Sequence, residues 1–382
     1  MSTRSTITTN GNTKIKKIVF GIIVVATVTV SALVGVIWCG KSGNNGKDVV
    51  TIGAVLPLTG KFADNGNGVR VGLEFAIRDI NVAGKVNYQI KYFDTQSEAK
   101  NALTGYTKLK TINKINIMFT TTSDHALILK PKAIEDGVLL FCLAPHTDIT
   151  KHNGQLVFRF TTLNADDAEC LARYALDSLH SKRVFLYALN NEAGLDYEKA
   201  IREKIATNLI GTTFYDEDTT ALRNLATANT YKDADCIAIF GHTPAMGFLI
   251  KNIREGGYIG PVIASAAFNQ PSILTTVGDY LQTISFVECD FPFASRQHKM
   301  WDEEAQAEYK FSFTVMSYLT YSVLHIFNNI RSTGCFLPQE IGKRLNEPNT
   351  YLINAGEETL MLTTNDGGIA PRLFMRTPSN IN

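Results

Sequence analysis

Ser123, Asp124 and His125 are the residues of this 382-residue chain that most resemble a catalytic group, because a hydrolase triad uses the same three side chains. In a triad, histidine takes the proton of the serine hydroxyl while aspartate orients the histidine. Three consecutive residues in the first turn of a helix point in different directions, so they cannot orient one another in this way. We therefore expect no hydrolase chemistry here, and the chain is predicted not to be an enzyme.

Other catalytic and cofactor motifs were sought by their residue spacing. The seven histidines show no metal-ligand spacing, and neither a G-x-x-x-x-G-K nor a G-x-S-x-G motif occurs. The glycines in Gly66-Asn67-Gly68 indicate a flexible turn before a helix rather than a phosphate loop. The sequence thus predicts neither a cofactor nor a metal.

The charge pattern argues against nucleic acid as a partner. The formal net charge is +1, and the polar part of the chain carries no sustained basic stripe. Lys108, Lys110 and Lys114 share one predicted helix, where they are typical of a solvated face.

The cysteines are expected to be buried free thiols. Cys142, Cys236 and Cys289 lie in apolar strand-like runs, Cys170 lies on a predicted helix, and no C-x-x-C spacing occurs. An exported protein can also form disulfides, so pairing of some of them stays open.

The elements that must position any functional residue alternate between strands and helices. Strand-like runs occur at Val49–Leu56, Tyr88–Phe93, Ile115–Thr120, Val138–Leu143, Val184–Leu189, Thr212–Tyr215, Cys236–Phe240 and Val262–Ala264. Apolar strands that alternate with amphipathic helices are typical of parallel sheets covered on both faces. The series restarts after Phe158–Thr162, and a long helical block follows from Trp301 to Ile330. The sequence therefore predicts an α/β fold of two doubly wound lobes, with ligands bound beyond the carboxyl ends of the strands.

An apolar segment precedes the two lobes. Ile18 to Trp38 contains no charged residue and is long enough to span a bilayer, while basic residues lie only on its amino-terminal side. We expect residues 1–17 to be cytoplasmic, 18–38 to be a membrane anchor or signal segment, and 39–48 to be a linker. The rest is then exported to the extracytoplasmic face of the membrane.

Retention of this segment is favoured over cleavage, because the apolar run exceeds the roughly 7–15 residues of a signal-peptide core. Lipidation at Cys39 is an alternative tether, although Trp38 stands where a lipoprotein motif has a small residue. Cys39 without any role is the third possibility.

Several motifs carry a resemblance to a known family. They are Leu56–Gly60, Val71–Ala76, Phe93–Ser97, Gly137–Pro145, Phe240–Gly247 and Asn365–Pro371. In this order the chain resembles the branched-chain amino-acid-binding proteins of ABC importers, of the periplasmic binding protein type 1 fold, from Val49 to Met375. The resemblance implies three hinge crossings, near Thr162, Glu288 and Leu360. Lobe 1 would then comprise residues 49–162 and 289–358, and lobe 2 residues 163–288 and 359–382.

The resemblance also implies ligand-binding positions. Thr122 and Ser123 occupy the turn whose hydroxyls bind the ligand carboxylate in the family, and hydroxyls at a helix start suit an anion. Alternatively, Ser123 only caps the following helix. Ala144, His146 and Thr147 lie in a second turn that faces the cleft in relatives.

At other positions the chain departs from the family pattern. Asn65 and His242 stand where the family has aromatic residues, as does Ala193, and no acid for a ligand ammonium lies near Ala266. A buried ammonium without an anion costs several kcal/mol. Asp64, Asp196 or Glu192 could supply the missing carboxylate from neighbouring loops. The alternatives are a ligand without an ammonium and the loss of small-molecule binding.

Two functions follow from these observations. The first is an extracytoplasmic solute-binding protein that takes a small amino acid, amide or carboxylate and delivers it to ABC permease subunits. The second is a membrane-tethered regulatory or interaction protein of the same fold without a small ligand, such as an activator of peptidoglycan synthases.

Overall fold

The computed structural model describes residues 48–84, 86–227, 230–365 and 368–378. The strands, in chain order, are β1 (Asp48–Leu56), β2 (Val86–Asp94), β3 (Ile117–Thr121), β4 (Leu139–Leu143), β5 (Val157–Arg159), β6 (Val184–Leu189), β7 (Leu209–Tyr215), β8 (Cys236–Phe240), β9 (Val262–Ala264), β10 (Ile284–Cys289), β11 (Thr350–Ala355), β12 (Glu358–Asn365), β13 (Gly368–Ala370) and β14 (Leu373–Arg376). All eight strands predicted from the apolar runs are present.

Helices connect most of these strands. In chain order they are α1 (Ala63–Ala83), α2 (Ala99–Thr111), α3 (Ser123–Glu135), α4 (Asn164–Arg173), α5 (Glu192–Ile205), α6 (Thr219–Thr227), α7 (Pro244–Glu255), α8 (Pro271–Val277), α9 (Arg296–Tyr309), α10 (Val315–Ser332) and α11 (Pro338–Asn346).

The strands form two sheets, each the centre of one lobe. Lobe 1 has the order β11-β12-β13-β5-β4-β3-β1-β2, and lobe 2 has the order β14-β10-β9-β8-β6-β7. The strands β1 to β5 pair in parallel, as do β6 to β10, while β11, β12 and β14 pair with antiparallel neighbours. The predicted α/β architecture of two parallel-sheet lobes is confirmed.

Each sheet is covered by helices on both faces. In lobe 1, α1, α9, α10 and α11 pack on one face while α2 and α3 cover the other. In lobe 2, α6, α7 and α8 pack on one face, and α4 and α5 on the other. Such two-sided cover explains why the parallel strands are apolar along their whole length.

Helices α1 and α10 approach closely because small residues line their contact. A Cβ on Gly72 would lie 2.4 Å from the Ser317 carbonyl oxygen, so only glycine fits. The Ser317 hydroxyl donates a hydrogen bond to the Gly68 carbonyl at 2.9 Å. This contact places the start of α10 beside the start of α1, at the edge of the cleft.

The predicted helical block Trp301–Ile330 is two helices rather than one. Lys310 adopts a left-handed conformation (φ 56°) that ends α9, and Asp302 accepts a hydrogen bond from the Phe313 amide. Thr314 is then the N-cap residue of α10, which begins at Val315.

The third crossing is not near Leu360, where it was predicted. Leu360 lies in β12, which pairs with β11 in the lobe 1 sheet, and the chain passes to lobe 2 only at Pro371–Arg372, between β13 and β14. Residues 359–370 therefore belong with lobe 1. Leu360 and Leu362 are buried while Met361 is exposed, which is the alternation of a half-buried antiparallel strand.

The cysteines agree with the prediction of free thiols. Cys142, Cys170, Cys236 and Cys289 are buried and unpaired, and burial raises the pKa of the Cys236 thiol to about 12. The predicted membrane segment, Cys39 and the linker up to residue 47 lie outside the described residues, while Asp48, the last residue of the predicted linker, is the first of β1. Within the described ranges, no helix is both long and apolar enough to span a bilayer.

Candidate functional site

A cavity of about 80 Å³ lies between the two lobes. Its walls are the turns that follow strands of both sheets, together with the first crossing and the start of α10. Polar side chains on its surface are Asn65, Thr122, Ser123, Thr161, Thr162, Asn164, Asp167, His242, Ser265 and Gln270. The cavity therefore lies where doubly wound sheets bind ligands, beyond the carboxyl ends of their strands.

On the lobe 1 side, Thr122 and Ser123 join β3 to α3. Thr122 has φ 67° and ψ 144°, a backbone conformation that a β-branched residue rarely adopts. Both hydroxyls are buried, and neither has a hydrogen-bond partner among the described residues. Strain of this kind persists at positions where it serves binding, and the start of α3 presents backbone N–H groups and the positive end of a dipole to an anion.

Ser123 does not belong to a catalytic triad. Its hydroxyl has no partner in the described structure, so neither Asp124 nor His125 activates it. Burial also lowers the pKa of His125 to about 4, although hydrogen bonds to the backbone of Thr121 and Glu98 oppose the shift.

On the lobe 2 side, His242 follows β8. Its Nε2 lies 2.9 Å from the Asn191 side-chain nitrogen, and the Asn191 carbonyl oxygen accepts from the Gly194 amide, which fixes the orientation of the Asn191 side chain. The Asn191 amide thus donates to Nε2, and the neutral ring carries its proton on Nδ1. Burial lowers the pKa of His242 to about 4, so the imidazole is neutral at physiological pH.

Two further polar side chains of lobe 2 line the cavity without hydrogen-bond partners in the described structure. They are Ser265, directly after β9, and Gln270, whose amide nitrogen and oxygen are both unpaired. Gln270 was not predicted, because it lies four residues after Ala266, beyond the segment expected to hold an acid.

Asp167 is the carboxylate that the sequence analysis did not find. It comes from α4, it is only 6% exposed, and its Oδ2 accepts a hydrogen bond from the Ala266 amide at 2.7 Å. The Tyr197 hydroxyl donates to Oδ1 at 2.9 Å. Burial raises the pKa of Asp167 to about 7, although both hydrogen bonds oppose the shift. The turn after β9 thus contains no acid of its own, as the sequence indicates, but Asp167 reaches it from α4.

The helical period contained a signal for Asp167. Its position follows Asn164 by three residues and precedes Leu171 by four, and all three residues are on the buried face of α4. An acid on the buried face of an amphipathic helix is unusual, because burial of a carboxylate is costly.

The three acids considered as substitutes do not line the cavity. Asp64 accepts from the Ser272 amide at 2.9 Å, and Asp196 accepts from the Asn164 side chain at 2.9 Å. Glu192 lies close to Asp124 instead: the pKa of Asp124 is raised mainly by burial and, to a smaller extent, by repulsion from Glu192.

The predicted positions divide into two groups. Asn65, Thr122, Ser123, His242 and Ala266 all line the cavity. By contrast, Ala144, His146 and Thr147 are not among its lining residues, and their neighbour Pro145 lines it instead. His146 Nδ1 accepts a hydrogen bond from the Asp148 amide at 3.1 Å, so this histidine caps a short turn.

The segment around the start of α1 closes the cleft against lobe 2. Lys61 forms an ion pair with Glu217 at 3.1 Å, Phe62 stacks on His242 with 5.1 Å between ring centroids, and Asp64 accepts from the Ser272 amide. We call Lys61, Phe62 and Asp64 the clasp. These contacts join the lobes on the side of the cavity where α1 begins.

Comparison with known proteins agrees with this architecture. The family model described as periplasmic binding protein matches residues 49–331. The chain is 25% identical over 215 residues to Leu/Ile/Val-binding protein homolog 3 of Brucella melitensis, covering 54% of this chain and 58% of that protein. It is 22% identical over 223 residues to the Leu/Ile/Val-binding protein of Escherichia coli K12, covering 56% of this chain and 61% of that protein. The matches thus span about three fifths of these relatives.

Solved structures share the fold. The branched-chain amino acid transporter substrate-binding protein LivJ of Streptococcus pneumoniae, in complex with isoleucine, superposes with a TM-score of 0.75 at 21% identity, covering 86% of this chain and 96% of that one. A solute-binding protein of Rhodopseudomonas palustris BisB5, in complex with 3,4-dihydroxybenzoic acid, superposes with a TM-score of 0.74 at 15% identity. The match covers 86% of this chain and 93% of that one. The family match confirms the resemblance found in the sequence, and the chain belongs to the periplasmic binding protein family.

Proposed function

We propose that this protein is an extracytoplasmic solute-binding protein that holds a small polar molecule, an amino acid, amide or carboxylate, between its lobes and delivers it to an ABC permease. One observation carries the proposal. Seven buried polar atoms without a partner in the described structure belong to residues that line one cavity: Asn65 Oδ1, Thr122 Oγ1, Ser123 Oγ, His242 Nδ1, Ser265 Oγ, Gln270 Oε1 and Gln270 Nε2.

The energetic argument is that each such atom costs about 1–3 kcal/mol when it is buried unpaired. Natural proteins contain few such atoms, and their concentration around one cavity indicates that a polar ligand supplies the hydrogen bonds. Because these residues come from both lobes, the ligand would contact both and favour the closed arrangement.

The wall chemistry narrows the ligand class. Thr122 and Ser123 at the start of α3 suit a carboxylate, while the amide of Gln270 offers both donors and acceptors to an amide or hydroxyl. Val315, Met316 and Leu319 line the cavity from α10 and can contact a short apolar portion. The names of the relatives mention leucine, isoleucine and valine, and the two solved structures hold isoleucine and 3,4-dihydroxybenzoic acid, which both carry a carboxylate.

The test is thermal unfolding of the full chain in mild detergent against a panel of amino acids, carboxylates and small amides. A bound compound at 100 times its dissociation constant should add about 2.7 kcal/mol to the free energy of unfolding. The double variant Thr122→Ala/Ser123→Ala should lose this effect.

A matched control is Thr107→Ala/Thr111→Ala, which removes two exposed hydroxyls from α2. It should respond to the panel as the wild type does. If no compound changes the wild-type unfolding temperature, the solute-binding proposal fails, and a tethered interaction protein without a small ligand becomes the better account.

A further inference from the structure

The end of lobe 1 opposite the cavity carries several exposed apolar side chains. The parallel strands β1 to β4 begin at this end, and α1, α2 and α3 end there. Helix α10 also ends there, because Asn328, near its end, accepts a hydrogen bond at 3.1 Å from the hydroxyl of Tyr88 in β2. We call this end the base of lobe 1, and its exposed apolar residues are Val49 (57% exposed), Val82 (83%), Ile112 (69%), Phe336 (53%) and Leu337 (59%).

Lysines without an acidic partner lie at the same end. Lys108 and Lys110 are in the last turn of α2, and Lys114 lies in the loop before β3. None of the three forms an ion pair with a residue that the structure describes. The two acids near the end of α3 are paired with Lys132 instead. The base therefore presents unpaired positive charge beside apolar side chains.

The part of the base near Phe336 adds no net charge. Arg331 lies over the Phe336 ring at 5.2 Å from its centroid, and the Glu340 carboxylate accepts a hydrogen bond from the Phe336 amide at 3.2 Å. These two side chains carry opposite charges. The positive charge of the base thus comes from the lysines around the end of α2.

Between α2 and α3 the base opens into a groove of about 520 Å³. The groove has one acid, Asp136, which accepts from the Tyr106 hydroxyl at 3.0 Å and pairs with Lys132 at 3.0 Å. Its other polar walls include the side chains of Lys110 and Lys114. An ammonium group binds phosphate as a compact point charge, so this groove suits a phosphate group carried on a larger molecule.

The covalent structure limits how far the base can lie from a membrane. Strand β1 starts at the base with Asp48, and residues 39–47 connect it to the segment at residues 18–38 that the sequence predicts to be a membrane anchor. Nine extended residues reach at most about 30 Å. An anchor at residues 18–38 would therefore keep the start of β1 near the bilayer surface.

We propose that the base of lobe 1 docks on the bilayer, with Val49, Val82 and Ile112 in the headgroup region and the unpaired lysines bound to anionic phospholipid headgroups. Apolar side chains mixed with lysines are typical of protein surfaces that lie in this region. The inference rests on the tether predicted from the sequence and goes beyond solute binding. All these residues belong to lobe 1, so lobe 2 stays free to open and close.

The same lysines argue against a second copy of the chain as the occupant. In a two-fold symmetric contact each base would face the other, which brings like charges together. Such juxtaposition is unfavourable, whereas an anionic bilayer has the complementary charge. A lipid surface is therefore the occupant that the charge of the base favours.

The first experiment measures fluorescence quenching of the full chain in lipid nanodiscs. The discs contain phosphatidylcholine alone or phosphatidylcholine with phosphatidylglycerol, and both carry a lipid with a nitroxide on its headgroup. The chain has two tryptophans: Trp38 ends the predicted anchor, and Trp301 is buried. Quenching of Trp38 tests the tether. In Ile112→Trp, most of the added fluorescence should be quenched in the anionic discs and less in the neutral ones.

The matched control is Ile259→Trp. Ile259 is 98% exposed, and it lies in the loop before β9 of lobe 2, away from the base of lobe 1. Its added fluorescence should be quenched equally little in both kinds of disc. Thermal unfolding of each variant shows whether it is folded.

The second experiment removes the lysines in the Ile112→Trp background. Each lysine near an anionic surface contributes about 5-fold, so Lys108→Gln/Lys110→Gln/Lys114→Gln should lower the ratio of docked to undocked protein about 100-fold. Its quenching should fall to the level of Ile259→Trp. Raising the salt concentration from about 0.05 M to about 0.5 M should have the same direction of effect. The control Lys182→Gln/Lys199→Gln/Lys232→Gln changes three exposed lysines of lobe 2 and should be quenched as Ile112→Trp alone is.

The third experiment uses wild-type protein, so it does not depend on a variant. Amide hydrogen exchange of residues 111–116, between α2 and β3, should slow several-fold when phosphatidylglycerol is added to the discs. Quenching of Trp38 with no quenching in Ile112→Trp, and unchanged exchange, would overturn docking while the tether stands.

Two other results would also overturn the inference. Absence of Trp38 quenching would remove the tether on which it rests. Protection of residues 111–116 that grows with protein concentration in detergent would show that a second copy covers the base. The solute panel is measured in detergent, so the solute-binding proposal is tested separately from these outcomes.

Discussion

Thr122 combines a strained backbone with an unpaired buried hydroxyl, and two substitutions separate these properties. Alanine and glycine both remove the hydroxyl, but only glycine adopts φ 67° without strain. We expect the free energy of unfolding of Thr122→Gly to exceed that of Thr122→Ala by about 1 kcal/mol. The difference is smaller than the full backbone strain, because glycine also makes the unfolded chain more flexible. Both variants should lose ligand affinity.

Chemical denaturation of the two variants, with calorimetric binding on the same samples, checks this expectation. Equal stability of the alanine and glycine variants would show that the backbone at Thr122 is not strained.

His242 gives the stability of the protein a pH dependence. Its pKa is about 4 when folded, against 6.5 when exposed, because burial penalises the charged ring. Well above pH 6.5 the histidine is neutral in both the folded and the unfolded state, and pH has no effect through this group. As pH falls from about 6.5 towards 4, the unfolded chain binds a proton that the folded protein excludes, so stability decreases.

The variant His242→Asn should therefore lose less stability on acidification than the wild type, by about 2 kcal/mol between pH 6.5 and pH 5. Urea denaturation at a series of pH values measures the difference. His180→Asn changes an exposed histidine and should follow the wild type. A wild-type slope in His242→Asn would contradict the assigned burial.

At the scale of single residues, the sequence predicted the cavity residues that lie in turns between strands and helices. Asn65, Thr122, Ser123 and His242 come directly after strands or begin helices, and strand ends can be located from apolar runs. Asp167 was missed because its approach to Ala266 depends on how α4 packs, 99 residues away in the chain.

The clasp is the element that joins the lobes beside the cavity. Phe62 is buried and stacks on His242, while the ion pair of Lys61 is exposed. We expect Phe62→Ala to weaken ligand binding about 10–100-fold through faster dissociation, because the closed arrangement loses an aromatic contact and its buried area.

Stopped-flow release of the bound compound measures this effect. Lys61→Ala is the control, since exposed ion pairs contribute about 0–1 kcal/mol, and it should release the compound within a few-fold of the wild-type rate. A Phe62→Ala variant with unchanged release would show that the clasp does not contribute to closure.

At the scale of elements, the parallel strands were easier to predict than the antiparallel hairpin of β11 and β12. The apolar runs of β1 to β4, β6, β8 and β9 indicated a two-lobed α/β fold. Strand β12 was assigned to lobe 2 because lobe membership near the end of the chain came from the resemblance. Its partner β11 is set by pairing across a turn, and the apolar period alone does not reveal that pairing.

For the whole molecule, the account is that two lobes close on a small polar ligand. The family supports an exported protein, and the uncharged segment at residues 18–38, with basic residues before it, is the reason to expect a tether at the outer face of the membrane. A tethered binding protein would stay close to its permease, since both would lie in the same membrane.

The central claim is that the cavity between the lobes is a ligand site, and a crystal structure grown with the compound that gives the largest thermal shift tests it most directly. The account predicts that compound in the cavity, with a polar group within about 3 Å of the Thr122 and Ser123 hydroxyls. An empty cavity, or the compound bound only on the outer surface of one lobe, would contradict it.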